Sequence, residues 1–381
     1  MRIEVIVNAN ARRGSQESVR KLQRTLPSAN IRRTVTLEDV SRADADLQRT
    51  QPDLVLVAGG DGSALSLLNA LRRVRSGRTP TPRVGLLRLG TGNGWARSVG
   101  APRLGRGLER LRDFLERGFG PEDLPCARFD LIDVGGMVTH FAGTGWDAEL
   151  IDDFHAQKEL PSLIPRGRRM GLAGYLNGLF SRTVPRNLKL PRVEIELTNT
   201  GESALGIDPT GKLFPASGAE RGAVLYRGPV SICGVGTSTQ WGFGFRAFPF
   251  ARLAPGRFNL RMYVGSTRQA LAKIPQLWTG KHPLPHMLTW MLTSCRVTFS
   301  RPVPLQAGGD VLGHRDSIDY RISEETVRVL DWRALGRQLE APERLLKDAF
   351  QETIEPALLR RGILANLASS PVRKPHTYIS V

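Results

Sequence analysis

The sequence predicts an α/β N-terminal domain built on a parallel sheet, then a mainly antiparallel β domain, then a helical C-terminal tail. Three observations predict it. Up to about residue 125, apolar runs alternate with stretches of helical spacing. From Ala127 to about Trp332 the apolar runs shorten and are cut by Gly, Pro, Asn and Ser. From 333 to 368 apolar residues return at helical spacing. A chain of 381 residues accommodates two or three domains. Its 40% apolar and 24% charged residues are a globular balance, which excludes a mostly disordered chain. The expected division is 1–126, 127–332 and 333–381, with the tail packing on the first domain.

Residues 3–7 are an apolar run that stops at Asn8, and 15–26 have helical spacing. A second run, 54–58, is closed by Gly59-Gly60-Asp61-Gly62. A helix over 63–74 follows, with Leu65, Leu68, Leu71 and Val74 on one face. A third run, 84–89, is closed by Gly90-Thr91-Gly92-Asn93, and 104–115 are again helical. Strands that alternate with helices pair in parallel and are covered on both faces. The later runs, 129–134, 137–141, 192–197, 223–226, 230–235, 258–264 and 295–299, read as an antiparallel sandwich or barrel-like domain. Helical inserts are expected near 168–181 and 268–279, and a loop or hairpin near 201–221. The tail carries Leu335, Leu339, Leu345, Leu346, Phe350, Ile354 and Leu358.

The formal net charge of +18 favours an anionic partner: nucleic acid, an anionic membrane surface or a phosphate-bearing ligand. No nucleic-acid-binding signature accompanies it, so no specific nucleic acid is expected. The cysteines, Cys126, Cys233 and Cys295, are odd in number and form no CxxC, which speaks against a disulfide framework or a zinc site and fits a reducing cytosol. No stretch of 18 apolar residues occurs, so no membrane span is expected, and the first apolar run is too short for a signal peptide. Docking at a bilayer surface stays open. Its two candidate places are the basic PRGRR (165–169) with the apolar stretch after it, and 277–292 with Trp278 and Trp290. Ordinary burial is the competing reading of both. Asp152 and Asp153 read as a solvated pair. His282 and His286 stand four apart, but Pro283 and Pro285 exclude the helix that a shared metal would need.

The two glycine clusters carry the chemistry. Each follows a buried-type strand and precedes a helix. Glycines allow positive φ and close backbone approach. Successive N–H groups can then surround phosphate oxygens, and a helix N-terminus adds positive potential. Asp61 lies inside the first loop, and Thr91 and Asn93 add donors to the second. Neither loop fits GxGxxG or GxxxxGK[ST], so neither a dinucleotide-binding Rossmann site nor a Walker loop is indicated.

Five segments together resemble the diacylglycerol kinase catalytic family, which includes the sphingosine and ceramide kinases. They are VIVNANARRG (5–14), GGDGS (59–63), GTGNGWAR (90–97), FAGTGWDAEL (141–150) and RRMGLAGYL (168–176), in the family's order across about residues 3–330. The resemblance implies a nucleotide-binding α/β domain, a β-sandwich second domain that takes the lipid, and ATP-dependent phosphorylation of a lipid hydroxyl with Mg2+. It implies a cytoplasmic, peripherally membrane-associated enzyme that meets its substrate at an anionic membrane surface. Nucleotide contacts are expected from Asn8, Arg12, Arg13, Gly59, Gly60, Gly62, Ser63, Gly90, Thr91, Gly92 and Asn93. Asp61 and Asp310 are the expected catalytic acids, and Asp147 is expected to bind the acceptor hydroxyl. The tail helices could pack on the first domain, form a homodimer face or touch membrane.

The chain departs from the family pattern at several acids. Ser66, Gly94 and Gly308 stand where the family carries carboxylates, and PFARLAPG (249–256) lacks the acids of its family counterpart. The alternative reading is therefore a weak or inactive nucleotide- or lipid-binding relative. Restoring acids at those three positions is expected to create or raise activity only if the fold is a decayed kinase.

Overall fold

In the computed structural model, the described residues are 1–11, 16–74, 82–90, 92–159, 177–242 and 244–340. The first strands are short and almost wholly buried: β1 (Ile3–Asn8), β3 (Leu54–Gly59) and β4 (Arg83–Arg88). Continuous Val, Ile and Leu runs of this kind suit a sheet covered on both faces. They pair in parallel, in the order β4-β3-β1-β2, with β2 (Asn30–Thr34) at the edge. Helices α1 (Gln16–Thr25), α2 (Leu37–Thr50), α3 (Asp61–Val74) and α5 (Leu104–Glu116) connect and cover them. The short α4 (Gly94–Ser98) precedes α5. Helix α2 begins with a capping box in which Thr36 and Asp39 satisfy each other's backbone N–H groups.

Beyond residue 125 the pairing is antiparallel. The described strands there run from β5 (Cys126–Val134) to β16 (Asp310–Leu330), and include β6 (Met137–Thr139), β7 (Phe141–Gly145), β8 (Val193–Asn199), β12 (Ile232–Gly236), β13 (Phe258–Tyr263), β14 (Met287–Leu292) and β15 (Ser294–Ala307). Strands β14, β13, β12, β7 and β15 are successive neighbours. The first half of β15 pairs with β8 and its end with β7, and its register against β16 shifts between Thr298 and Val303. Helix α6 (Trp146–Glu159) follows β7 directly.

Two apolar cores result. The first gathers β1, β3, β4 and their helices, together with Val327, Val329, Leu330, Trp332 and Leu335 from the end of β16 and the helix after it. The second gathers Ile195, Leu197, Val235, Leu260, Met262, Val297 and Tyr320, among others. Strands β5 and β16 contribute to both. The last described helix, α10 (Trp332–Glu340, counting α7 as Val184–Lys189, α8 as Thr267–Ala272 and α9 as Ile274–Thr279), lies against α5. There Arg110 donates to the Trp332 carbonyl and Arg117 to that of Leu339. The remainder of the expected tail lies outside the described residues, as does most of 168–181.

One surface expectation is corrected. Asp153 is buried, not solvated: Thr183 Oγ1 donates to it at 2.8 Å and Arg186 at 2.6 Å. Burial of a carboxylate requires such partners, and they come from a segment thirty residues on, which local pattern does not show.

Candidate active site

Strand β3 ends at Gly59 and α3 begins at Asp61, so Gly60 alone turns the chain. The second loop leaves β4 at Arg88 and enters α4 at Gly94. The two loops are locked backbone to backbone. The Gly59 carbonyl accepts the N–H groups of Leu89 at 3.1 Å and Gly90 at 2.9 Å. A Cβ on Gly60 would come within 3.3 Å of the Gly90 Cα, and one on Gly90 would overlap the Gly60 backbone. Only a pair of glycines allows this approach.

Side chains complete the lock. Asn93 adopts a left-handed conformation with φ of 50°. Its Oδ1 accepts from the Gly90 N–H at 3.1 Å, and its Nδ2 donates to the Gly90 carbonyl at 2.6 Å. Its polar groups therefore close its own loop. Asn8, at the end of β1, donates from Nδ2 to Ser63 Oγ at 2.8 Å and accepts the Asn10 N–H at 2.8 Å.

Asp61 bridges the two loops. Its Oδ2 accepts the N–H of Gly94 at 2.7 Å, and its Oδ1 that of Trp95 at 3.1 Å. These are first-turn donors of α4 that lack a partner inside the helix. Burial pushes the Asp61 pKa up from 3.8 to about 6, against the opposing pull of those N–H groups and of the Arg97 charge. A carboxylate offers about four lone-pair positions, so two backbone bonds leave room for a proton.

The GGD turn approaches from the other side. Gly308, at φ of 62°, packs where a Cβ would overlap Leu65 of α3. Asp310 then opens β16, with its Oδ2 3.3 Å from the position of a Cβ on Gly62. That places a carboxylate beside the first turn of α3, where the helix dipole favours negative charge.

Asn8, Gly59, Gly60, Asp61, Gly62, Ser63, Gly90, Gly92, Asn93 and Asp310 thus converge from four chain segments. Arg12, Arg13 and Thr91 lie outside the described residues. Asp147 stands in the first turn of α6, just after β7, and its side chain lies outside what is described.

Two of the departures from the family pattern have physical causes. A Cβ on Gly94 would stand 2.9 Å from the carbonyl carbon and oxygen of Trp241, and one on Gly308 would overlap Leu65. The Trp241 backbone stands against position 94 and the Leu65 side chain against position 308, so an acid at either position would have to displace its neighbour. Ser66 stays half-buried on α3.

Four residues that the sequence left unassigned belong here. Arg97 supplies the cation that Asp61 feels; it lies inside GTGNGWAR, and that motif was its signal. Trp241 and Gly242 press on Gly94 and Gly92 from a loop nearly 150 residues away, and nothing in the local pattern marks them. His140 is fully buried, stacks on Trp95 at 4.5 Å and bonds Ser238 Oγ through Nδ1 at 2.6 Å.

The diacylglycerol kinase catalytic domain family matches residues 2–120. A stretch of 100 residues is 35% identical to the eye-specific diacylglycerol kinase of Drosophila melanogaster, covering 26% of this chain and only 7% of that protein's length. Among solved structures, a diacylglycerol kinase from Bacillus anthracis str. Sterne is similar with a TM-score of 0.57, at 14% identity, over 88% of this chain and 98% of that one. A second structure from the same strain gives a TM-score of 0.60, at 14% identity, over 86% and 97%. The chain thus has the fold of these bacterial diacylglycerol kinases and, over residues 2–120, the sequence signature of the diacylglycerol kinase catalytic domain.

Proposed function

We propose that this kinase-family protein transfers the γ-phosphate of ATP to the hydroxyl of a lipid. The observation that carries the reading is the close approach of Gly60 and Gly90. It merges two strand-to-helix turns into one surface of backbone at the N-terminus of α3, with Asp310 beside it. Such a surface suits the phosphates of a nucleotide.

Phosphoryl transfer asks the protein mainly for positioning and charge. The glycine loops hold the phosphates. With a pKa of about 6 and lone pairs to spare, Asp61 is suited to take the proton of the acceptor hydroxyl. Asp310, beside the first turn of α3, would hold Mg2+, an ion that needs few ligands from protein. The ion would supply charge neutralisation on the phosphates. No cluster of three ligating side chains exists among the described residues, which fits one carboxylate and not a protein-made cage.

Lipid access is supported by an exposed apolar strip. Phe180, Leu188 and Leu190 are half exposed and lie among Arg182, Arg186 and Lys189. Exposed apolar side chains with Arg182 and Lys189 close by in the sequence suit an anionic bilayer surface. No described helix is long and apolar enough to cross a membrane.

A second reading, a non-catalytic nucleotide- or lipid-binding relative, is favoured by the filled positions at Gly94 and Gly308. The deciding experiment is label transfer from γ-labelled ATP, with Mg2+, to lipid alcohols in mixed micelles. A labelled lipid that disappears with Asp61→Asn supports the kinase. Nucleotide binding without any labelled product supports the second reading.

A further inference from the structure

Asp61 is held by two backbone N–H groups, those of Gly94 and Trp95. Both residues are braced from the second half of the chain. The buried Trp95 ring stacks on the imidazole of His140, with centroids 4.5 Å apart and planes 23° apart. Gly94 backs onto the Trp241 carbonyl, which a Cβ would meet at 2.9 Å. One histidine joins the two braces. His140 Nδ1 lies 2.6 Å from Ser238 Oγ, and Ser238 stands three residues before Trp241 in the loop that follows β12.

The neighbours of this pair fix its protons. Ser238 Oγ donates to the Gln240 carbonyl at 3.3 Å, so its oxygen accepts from His140 Nδ1–H. His140 Nε2, buried without a partner, is then a bare lone pair. The other tautomer would bury an unpaired N–H there, at the full desolvation cost of a donor. Burial keeps the ring neutral by pulling its pKa down to about 3. The ring sits among aromatic neighbours, Trp95 on its face and Phe141 edge-on at 4.7 Å. A phenyl ring would fill such a place without any polar atom to desolvate. What the imidazole adds is its bond to Ser238.

The backbone strengthens the tie. The His140 carbonyl accepts the Thr237 N–H at 3.0 Å, and the Phe141 carbonyl accepts the Gly308 N–H at 3.0 Å. Residues 140 and 141 therefore meet α4, the 237–242 loop and the turn that leads to Asp310.

We infer that His140 is a positioning residue for Asp61: through its stack on Trp95 and its bond to Ser238, it holds the Gly94 and Trp95 N–H groups against the carboxylate. That the held carboxylate serves catalysis rests on the kinase reading; that it is held does not.

The test combines hydrogen exchange of the full chain, read by mass spectrometry, with steady-state label transfer from ATP. Peptides covering 92–98 report on the brace, and peptides from β1 and β3 are the internal reference. Ser238→Ala removes the bond and keeps the stack. It should speed exchange in 92–98 about tenfold and leave β1 and β3 unchanged. It should lower kcat about tenfold, with KM for ATP within about twofold of wild type. His140→Phe should do the same, and the double variant should be no worse than either single one, because both remove one bond. Wild-type exchange in 92–98 overturns the inference, as does protection lost equally from β1 and β3, which marks general destabilisation. Additive losses in the double variant also overturn it. If His140→Phe does not fold, Ser238→Ala decides by itself. Faster exchange in 92–98 with an unchanged kcat would overturn the positioning role. Faster exchange in a protein whose wild type transfers no label would remove only the kinase reading and leave the brace.

Discussion

The carboxylate of Asp61 and the backbone N–H of Gly94 stand 2.7 Å apart, so the acid of the first glycine loop carries the helix that follows the second. The two loops are one unit in consequence. Asp61 is then asked for two things, a cap and a base, and these separate under mutation.

Asp61→Asn keeps one acceptor oxygen and sets an NH2 group against the other backbone N–H. The expected loss of stability is about 1–3 kcal/mol, read by urea denaturation. Phosphoryl transfer should fall by about a hundredfold or more if the carboxylate is the base. Turnover close to wild type would limit Asp61 to the cap.

The same group sets a pH limb. Its pKa of about 6 means that acid below that value protonates it and removes the base. Turnover should decline as pH falls through about 6, and a pH–rate profile measures the midpoint. A midpoint near 4 would place the essential acid elsewhere.

Gly94→Asp should destabilise the protein by about 1–3 kcal/mol through overpacking against Trp241, and should not raise activity. Thermal unfolding and turnover of one preparation decide it. A gain in turnover would mean that the 241–242 loop moves aside readily.

Gly308→Ala combines a left-handed φ with overlap on Leu65, at a cost of about 2–4 kcal/mol. In a Leu65→Ala background the overlap disappears, and the further cost should shrink to the backbone part alone. A double-mutant cycle measures the difference.

His140 contributes to acid unfolding. Burial depresses its pKa from 6.5 to about 3, so the native state keeps it neutral where the unfolded chain would protonate it. Its contribution is complete above pH 6.5 and is lost as pH falls from there towards 3. His140→Asn should therefore have a shallower dependence of stability on pH in that window, measured by urea midpoints across it.

The parallel sheet was legible because β1, β3 and β4 are buried on both faces, which leaves continuous apolar runs, two of them followed by glycine clusters. The glycine loops were legible because their glycines directly follow buried strands, and the approach of the Gly60 backbone leaves no room for a Cβ at position 90. The partners of those loops were not. Trp241 reaches Gly94 across nearly 150 residues. Strand β2 carries Asn30, Arg32 and Arg33, which gives an edge strand no apolar run to read. The length of β16 was also hidden, because its exposed stretch from Gly313 to Ser317 has no apolar alternation.

Strand β16 runs for 21 residues from the site, through the second core, to a parallel bridge between Val329 and Val84 in the first sheet. Peptide that is hydrogen-bonded along most of its length twists but does not swing. The two cores are therefore joined by a paired strand as well as by the chain at residue 125, not by a slack tether. Cutting the chain near residue 125 would leave the first core without Val327, Val329, Leu330 and Trp332, so the matched 2–120 segment should not survive as a folded fragment.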